Sequence, residues 1–461
     1  MTQKGGIHFE ISERKILLRI FDIVSVLFLL YGIGQVFDFD YFKINSEHWM
    51  WSIVLAIYLT VFATIFELYN LQKASKMETV IQNIVLTASV TVLFYLLTPF
   101  YTPTLPANRL QIVYFFLAIN VALFIWRYAY ITFISAPRFF KRVMLIGSSE
   151  TIEKVANSLE KSDPNYRVVG YINTGDTHSQ TEKLIEFKSD SISEMIDKYT
   201  ISEIVVALSK SEEMTLPLNN QLIRVLEQGM PIKEYTHVYE ELNRKVPVQF
   251  IADDFYRYFP FSRSNQNKLY LFFHRLMDLL LSIIGLLFGI IITPFILIGN
   301  VLANKGPFFY KQERVGKNGN IFKIYKLRSM VVDAEKDGAQ YAKKKDTRIT
   351  YFGKFLRRTR IDEIPQFINV IKGEMSVIGP RPERPIFVET LSQQIPFYEI
   401  RHLVKPGVTG WAQVNAKYGM TQEDAMEKLQ YDLYYIKRRS FFLDSKIILK
   451  TLSTIIFFRG Q

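Results

Sequence analysis

At 461 residues the chain is long enough for two or three domains. It has no cysteine, which excludes disulfides, zinc thiolates and thiol catalysis, and its six histidines (His8, His48, His178, His237, His274 and His402) are scattered without metal-ligand spacing. A hydrophobic share of 49% is too high for a chain soluble throughout and too low for a membrane bundle throughout, and the net charge of +12 suits an anionic partner such as lipid, a pyrophosphate or nucleic acid.

The first apolar stretch runs from about Ile16 to Phe37, behind Arg14 and Lys15. It is longer than the core of a secretory leader and reads as an uncleaved span. Further spans are expected at about Trp49–Leu68, Thr79–Phe100 and Gln111–Ile134, each near the ~20 residues that cross a bilayer. Lys4, Arg14 and Lys15, then Lys73 and Lys76, then Arg138, Lys141 and Arg142 fall on one side; Lys43 and Arg109 are alone on the other. The positive-inside rule puts the N-terminus and the chain after span four in the cytoplasm. The alternative is two buried helical hairpins in a soluble protein.

Residues from about Lys141 to Asp254 alternate short apolar runs with helical patterns, which implies a parallel α/β unit. Its first turn, Gly147-Ser148-Ser149-Glu150, holds a single glycine. Without the other two the backbone cannot easily approach a pyrophosphate, so a Rossmann-like shell that binds no dinucleotide is expected. Next, Leu279–Ile298 is twenty residues without a charge. Length alone allows it to span or to re-enter. A straight span would carry the charged C-terminal region out of the cell, and Pro294 can break the helix.

The segment Gly353–Gln366 sets Arg357, Arg358 and Arg360 just before the adjacent acids Asp362 and Glu363. Cations keep such a pair ionised. A carboxylate can hold Mg²⁺ or attack phosphorus, although an acidic pair on a charged helix surface is the common alternative. Ile378–Glu383 follows, with prolines on both sides of Arg381, a stiff presentation of a phosphate-binding guanidinium. Lys405–Asn415 has glycines at 407 and 410 that permit tight backbone, and Trp411 offers a flat apolar surface. Phe322–Met330 alternates apolar residues with cations. The C-terminal run Phe441–Phe458 suits either an interfacial helix or one packed on the core.

Taken in order, the membrane-inserted hairpin, Lys-Leu-Arg-Ser-Met, Asp-Glu-Ile-Pro-Gln, Gly-Pro-Arg-Pro and Pro-Gly-Val-Thr-Gly-Trp-Ala-Gln-Val-Asn resemble the monotopic phosphoglycosyl transferases, the bacterial sugar transferases. The likeness is close over about Lys268 to Gln461. Four spans and a Rossmann-like domain resemble the long form, the undecaprenyl-phosphate hexose-1-phosphate transferases of exopolysaccharide and O-antigen synthesis. The resemblance implies a membrane protein, α plus α/β, in three parts: four transmembrane helices (1–138), a Rossmann-like domain (139–262) and a mainly α monotopic catalytic domain (263–461) with a re-entrant helix at about 270–302. It implies Asp362 as nucleophile on the β-phosphate of a UDP-sugar, Glu363 helping to position Mg²⁺, and polyprenyl phosphate as acceptor. Lys326, Arg328, Arg357, Arg381, Lys405 and Asp432 match positions that bind substrate. Thr293-Pro294 stands where the family breaks its helix, usually at Ser-Pro, and Ala416 where glycine is frequent. Also implied are the bacterial inner membrane, a cytoplasmic catalytic face, a homodimer, and UDP-glucose or UDP-galactose as donor. Nothing resembles a nucleic-acid module. Two rivals remain: a non-catalytic polysaccharide-export scaffold, and a nucleotide-sugar dehydratase or epimerase, whose Tyr-x-x-x-Lys spacing recurs at Tyr341 and Lys345.

Overall fold

The computed structural model describes residues 11–37, 39, 41–69, 77–98, 100–134, 140–163, 165–175, 184–188, 192–208, 214–251, 267–304, 306–332, 334, 338, 346–416, 419 and 421–456. Lys4, Lys73, Lys76 and Arg138, which carry the expected orientation, lie outside them, as do Tyr341 and Lys345. The chain divides into two units, Met1–Asn243 and Arg244–Gln461.

The first unit opens with α1 (Ile11–Val36), α2 (Trp49–Ile65), α3 (Met77–Leu97) and α4 (Leu110–Ala129), the last running on through a wider turn at Tyr130–Ile134. Ile16–Val36, Val80–Leu97 and Leu110–Phe133 are long and apolar enough to cross a membrane, while the second helix is apolar but shorter, at 17 residues. Leu55, Leu59, Ala88 and Phe115 face inward, whereas Phe28 and Leu97 face out. A helix apolar on all sides has an outer surface suited to lipid. Arg127 of α4 donates to Asp22 of α1 at 2.5 Å, both side chains fully buried, and to the Leu68 carbonyl at 3.0 Å. A lone charge here would be costly, so the two helices carry complementary ones.

The rest of this unit is a five-stranded parallel sheet in the order β3-β2-β1-β4-β5. In chain order its elements are β1 (Lys141–Gly147), α5 (Ser149–Ser162), β2 (Tyr166–Asn173), β3 (Ile185–Glu186), α6 (Ile192–Tyr199), β4 (Glu203–Val206), α7 (Leu216–Glu227), β5 (Ile232–Glu234) and α8 (Tyr235–Asn243). Val143 and Leu145 pack against α5 and α8, while Met144 and Ile146 pack against α6 and α7. A central parallel strand covered on both faces is apolar at successive positions, which is why Val143–Ile146 reads as an unbroken run.

The second unit comprises α9 (Val248–Ile251), α10 (Lys268–Ala303), the antiparallel hairpin β6 (Phe309–Val315) and β7 (Ile321–Leu327), α11 (Tyr351–Arg358), α12 (Gln366–Lys372), β8 (Ser376–Ile378), α13 (Pro385–Gln394), β9 (Gly407–Thr409) parallel to β8, α14 (Trp411–Asn415), α15 (Gln422–Arg438) and α16 (Phe441–Ile456). Val246 and Val248 share a core with Ile395, Tyr398 and Leu433, so the unit begins ahead of the expected boundary at 263.

At 36 residues α10 is about 54 Å long, well beyond the ~30 Å of a hydrocarbon core. The break expected at Thr293-Pro294 is absent: the helix continues through Pro294, and the Thr293 hydroxyl donates to the Gly289 carbonyl at 2.7 Å. Its whole length is fastened to this one unit. Near the start, Arg275 donates to the Val370 and Ile371 carbonyls (2.7 and 2.8 Å), and Asp278 accepts from Ser376 Oγ and Val377 N (2.9 and 2.8 Å). The Phe367 and Phe352 rings lie against Gly285 and Gly299. At the end, Asn304 donates to the Arg328 carbonyl at 2.6 Å. The opposite side, through Phe288, Ile291, Phe295 and Leu302, is exposed and apolar. In α16, Leu443 and Ile447 enter the core, the packed course expected for that helix, while Phe441 and Phe442 remain exposed.

Candidate active site

Two local features bring the acidic pair into place. Thr350 caps α11 by accepting from Gly353 N at 2.9 Å, and the helix seats directly on the Ser329 backbone. A Cβ on residue 353 would lie 1.9 Å from the Ser329 carbonyl oxygen. This close approach lets Arg357 Nε reach Ser329 Oγ at 2.9 Å. Gly353→Ala is expected to force α11 away and to cost about 1–3 kcal/mol, as overpacking does; thermal unfolding in detergent reads it, and an unchanged Tm would contradict the tight seating. Arg360 then turns left-handed (φ 56°), which ends the helix and swings Ile361–Glu363 inward as a single 3₁₀ turn.

Both acids are buried, yet their surroundings differ. Glu363 Oε1 accepts from Lys326 Nζ and Arg381 Nη2, each at 3.1 Å, and Arg360 Nη1 lies 3.4 Å from Oε2. The Asp362 carboxylate makes no hydrogen bond or ion pair among the described residues. Burial, and then the charge of Glu363, push Asp362 up to about 6 against the pull of Lys326, Arg357 and Arg381. Burial also opposes ionisation of Glu363, but Lys326, Arg381 and Arg360 outweigh it and hold that group well below the usual range. Different environments thus divide two adjacent carboxylates into one that organises cations and one left free.

The loop carrying Arg381 is fixed at each carbonyl. Pro380 O accepts from Gly407 N (2.8 Å), Arg381 O from Arg401 Nη2 (3.0 Å), Pro382 O from Arg314 Nη1 (3.0 Å) and Glu383 O from Val315 N (2.9 Å). Gly379, Gly407 and Gly410 let three backbone segments touch: a Cβ at 407 or 410 would lie 2.1 or 2.0 Å from Gly379 backbone atoms. The guanidinium of Arg381 also donates to Gln413 Oε1 at 3.2 Å, and Gln413 Nε2 is buried without a partner among the described residues.

Lys326, Arg357 and Arg381 therefore gather around Asp362 and Glu363. The other expected residues are placed elsewhere. Arg328 donates to the Pro307, Asn304 and Met330 carbonyls and fastens the end of α10. Asp432 is fully buried and bonded to Arg401 at 2.8 Å, so it acts on the Arg381 loop through that arginine. The Lys405 ammonium lies beside Gly373 and Arg275, away from the Glu363 cations. Trp411 is buried rather than a surface platform, stacked on Tyr434 and donating to the Arg244 carbonyl at 3.1 Å. Arg360 stood among the cations of the Gly353–Gln366 segment and Gln413 within the Lys405–Asn415 segment, neither of them given a site role, while nothing in the sequence pointed to Arg314 or Arg401. Among the described residues no three His, Cys, Asp or Glu side chains cluster as a metal cage.

A buried free carboxylate inside an arc of fixed cations, on a unit with a long apolar outer helix, defines a membrane-bound site for anionic groups. The chain matches the bacterial sugar transferase family over residues 269–458 and a CoA-binding domain family over residues 64–224. It is 38% identical over 257 residues to the UDP-N-acetylgalactosamine-undecaprenyl-phosphate N-acetylgalactosaminephosphotransferase of Aeromonas hydrophila, covering 55% of this chain and 59% of that one. It is 36% identical over 285 residues to the UDP-glucose:undecaprenyl-phosphate glucose-1-phosphate transferase of Klebsiella pneumoniae, covering 58% of each. A Bacillus subtilis (strain 168) protein provisionally named undecaprenyl-phosphate N-acetylgalactosaminyl 1-phosphate transferase is 50% identical over 141 residues, 31% of this chain and 79% of the relative. The chain thus spans somewhat under three fifths of the Aeromonas and Klebsiella proteins and most of the Bacillus one. It belongs to the bacterial sugar transferase family.

Proposed function

We propose that the protein transfers a hexose-1-phosphate from a UDP-sugar to a polyprenyl phosphate at the cytoplasmic face of a bacterial inner membrane. The observation that carries this reading is the unpaired, buried carboxylate of Asp362 inside cations held by Glu363. One Asp362 oxygen attacks the β-phosphorus of the donor. The bond from that phosphorus to the bridging oxygen breaks, UMP leaves with the oxygen, and a sugar phosphoryl-aspartate remains. A phosphate oxygen of the lipid then attacks the same phosphorus and returns the carboxylate. Lys326, Arg357 and Arg381 steady the phosphate charge throughout, since phosphoryl transfer depends mainly on positioning and neutralisation. The fixed carbonyls of 380–383 keep Arg381 from needing to reorganise.

Mg²⁺ fits this arrangement through Asp362. A free carboxylate together with substrate phosphate oxygens is the ligand set this ion usually takes, whereas both Glu363 oxygens already face cations. Bound there, the ion supplies neutralisation of the diphosphate. The attachment of α10 to one unit at both ends supports a re-entrant course, because a spanning helix would leave one end on the far side. The strand order 3-2-1-4-5 supports the Rossmann-like reading of the middle domain. To test the reaction, purified protein is incubated with polyprenyl phosphate, Mg²⁺ and a panel of UDP-sugars. UMP release with one donor, stopped by EDTA, is the expected result; folded protein that releases UMP from none of them would move the reading to a scaffold.

A further inference from the structure

The helices of the first unit hold a charged cluster that the proposed reaction does not use. The Arg19 guanidinium, near the start of the apolar stretch Ile16–Val36 of α1, lies 5.2 Å from the centre of the Tyr69 ring. Arg127, near the end of the apolar stretch Leu110–Phe133, lies 5.6 Å from the centre of the same ring. At 1.5 Å per residue these two positions are roughly 5 and 9 Å inside their stretches. From there an arginine side chain reaches the phosphate layer of a bilayer.

The two cations are not equally satisfied. Arg127 has two acceptors, the Asp22 carboxylate and the Leu68 carbonyl. Arg19 makes no hydrogen bond or ion pair among the described residues, and its Nε is buried. The charges that act on Tyr69 are those of Asp22, Arg127 and Arg19. Two guanidiniums therefore share one carboxylate, and one positive charge is left over. A side chain that only snorkels keeps its donors in water. Here one donor is enclosed and the guanidinium rests on an aromatic face, so the fold sets its direction. Arg19 also stands at the edge of the packed surface. Leu18, Asp22 and Val26 make the buried side of α1, and Ile16 and Ile20, on the other flank of Arg19, are exposed. A charge left uncompensated at this depth is costly, and an anion arriving from the lipid side removes the cost.

We infer that this is a headgroup site for a single anionic phospholipid. Its phosphodiester sits against the Arg19 guanidinium beside Tyr69, and its chains lie along Ile16 and Ile20. Charge decides the class: one phosphodiester cancels the one charge left over. A zwitterionic lipid brings an ammonium toward two guanidiniums, and a phosphate monoester such as polyprenyl phosphate carries more charge than the cluster lacks.

Full-length wild type, Arg19→Gln, Arg19→Lys and Arg109→Gln test this. Arg109 is exposed just before α4, at the opposite end of that helix from Arg127, so its variant removes one charge away from the cluster. Phosphatidylglycerol binding is read by native mass spectrometry from detergent, and Tm in phosphatidylcholine nanodiscs with and without phosphatidylglycerol. Wild type should retain one phosphatidylglycerol and gain Tm when it is present. Arg19→Gln should bind about tenfold more weakly, the loss of one charge-assisted contact, and gain less Tm. Arg109→Gln should match wild type. Arg19→Lys, which keeps the charge without the planar fork, should fall between wild type and Arg19→Gln. A wild type that retains no phosphatidylglycerol overturns the site, as does unchanged binding in Arg19→Gln. An equal loss in Arg109→Gln marks general surface attraction and also overturns it. If polyprenyl phosphate displaces phosphatidylglycerol from wild type at equal concentration, the site belongs to a monoester lipid and the phospholipid assignment fails. Should Arg19→Gln not fold, Arg19→Lys carries the test: binding as tight as wild type overturns the role given to the guanidinium on Tyr69.

Discussion

Asp362→Asn is expected to lower UMP release at least about 10⁴-fold, the scale on which enzymes lose rate with their nucleophile. The amide keeps the shape of the carboxylate and cannot attack phosphorus. Nothing else is lost with it, because Asp362 has no hydrogen-bond partner among the described residues. Stability should move the other way. In the fold Asp362 is raised from 3.8 to about 6, so it binds its proton more tightly folded than unfolded. That contribution is fully present below about pH 4 and is lost as pH rises through about 6. A neutral isostere escapes the loss, so Tm at pH 7.5 should equal or exceed wild type. Intact-protein mass spectrometry adds the covalent readout: a phosphosugar adduct on wild type without acceptor and none on the variant. UMP release surviving in Asp362→Asn would end the nucleophile assignment.

Glu363→Gln should reduce the same rate about 10²–10³-fold, comparable with the loss of one preorganised electrostatic group. The route is indirect. Without the Glu363 charge, Lys326, Arg360 and Arg381 lose their common acceptor, and Asp362 becomes the carboxylate they can reach. Pairing there makes Asp362 a poorer nucleophile and lowers its pKa, since the Glu363 charge is one of the causes that raise it. In wild type the burst should fall as pH drops through about 6, because only the ionised carboxylate attacks. In Glu363→Gln that acid limb should move to lower pH although the maximum is smaller. Asp432, also raised to about 6, owes this to burial and to Glu383, with Arg401 and Lys428 opposing, and Glu363 is not among its causes. A limb that stays in place therefore points to Asp432 instead of Asp362.

What was legible in the sequence followed from local rules. Apolar runs marked the membrane helices and the sheet strands, and the glycines at 407 and 410 did accompany tight backbone crossings. The acidic pair and Arg381 were found because their motifs are short and contiguous. Direction was not legible. Arg328 follows Lys326 by two residues, yet one reaches Glu363 and the other turns to backbone carbonyls, because Lys326 lies inside the strand that ends at Leu327 and Arg328 begins the loop after it. Partners far apart in the chain were equally hidden. Arg401 meets Asp432 from 31 residues away, and Arg127 meets Asp22 across 105. No spacing rule links such pairs until the helices are packed.

The polar face of α10 has a consequence for how the chain is made. Asp278 finds its partner Ser376 98 residues downstream, and Tyr270 finds Asp444 174 residues downstream. At the usual 5–20 residues per second, the ribosome needs roughly 9–35 s to deliver the second of these. For that interval a nascent helix apolar enough to be taken up by the insertion machinery carries His274 and Asp278 with only each other, without the downstream Ser376, Arg439 and Asp444. Release into lipid as an ordinary span would bury both away from those partners, a cost that packing against α16 removes. A ribosome that stops before Asp444 leaves a helix committed to neither side, and such truncated chains should be the preferred substrates of membrane quality-control proteases.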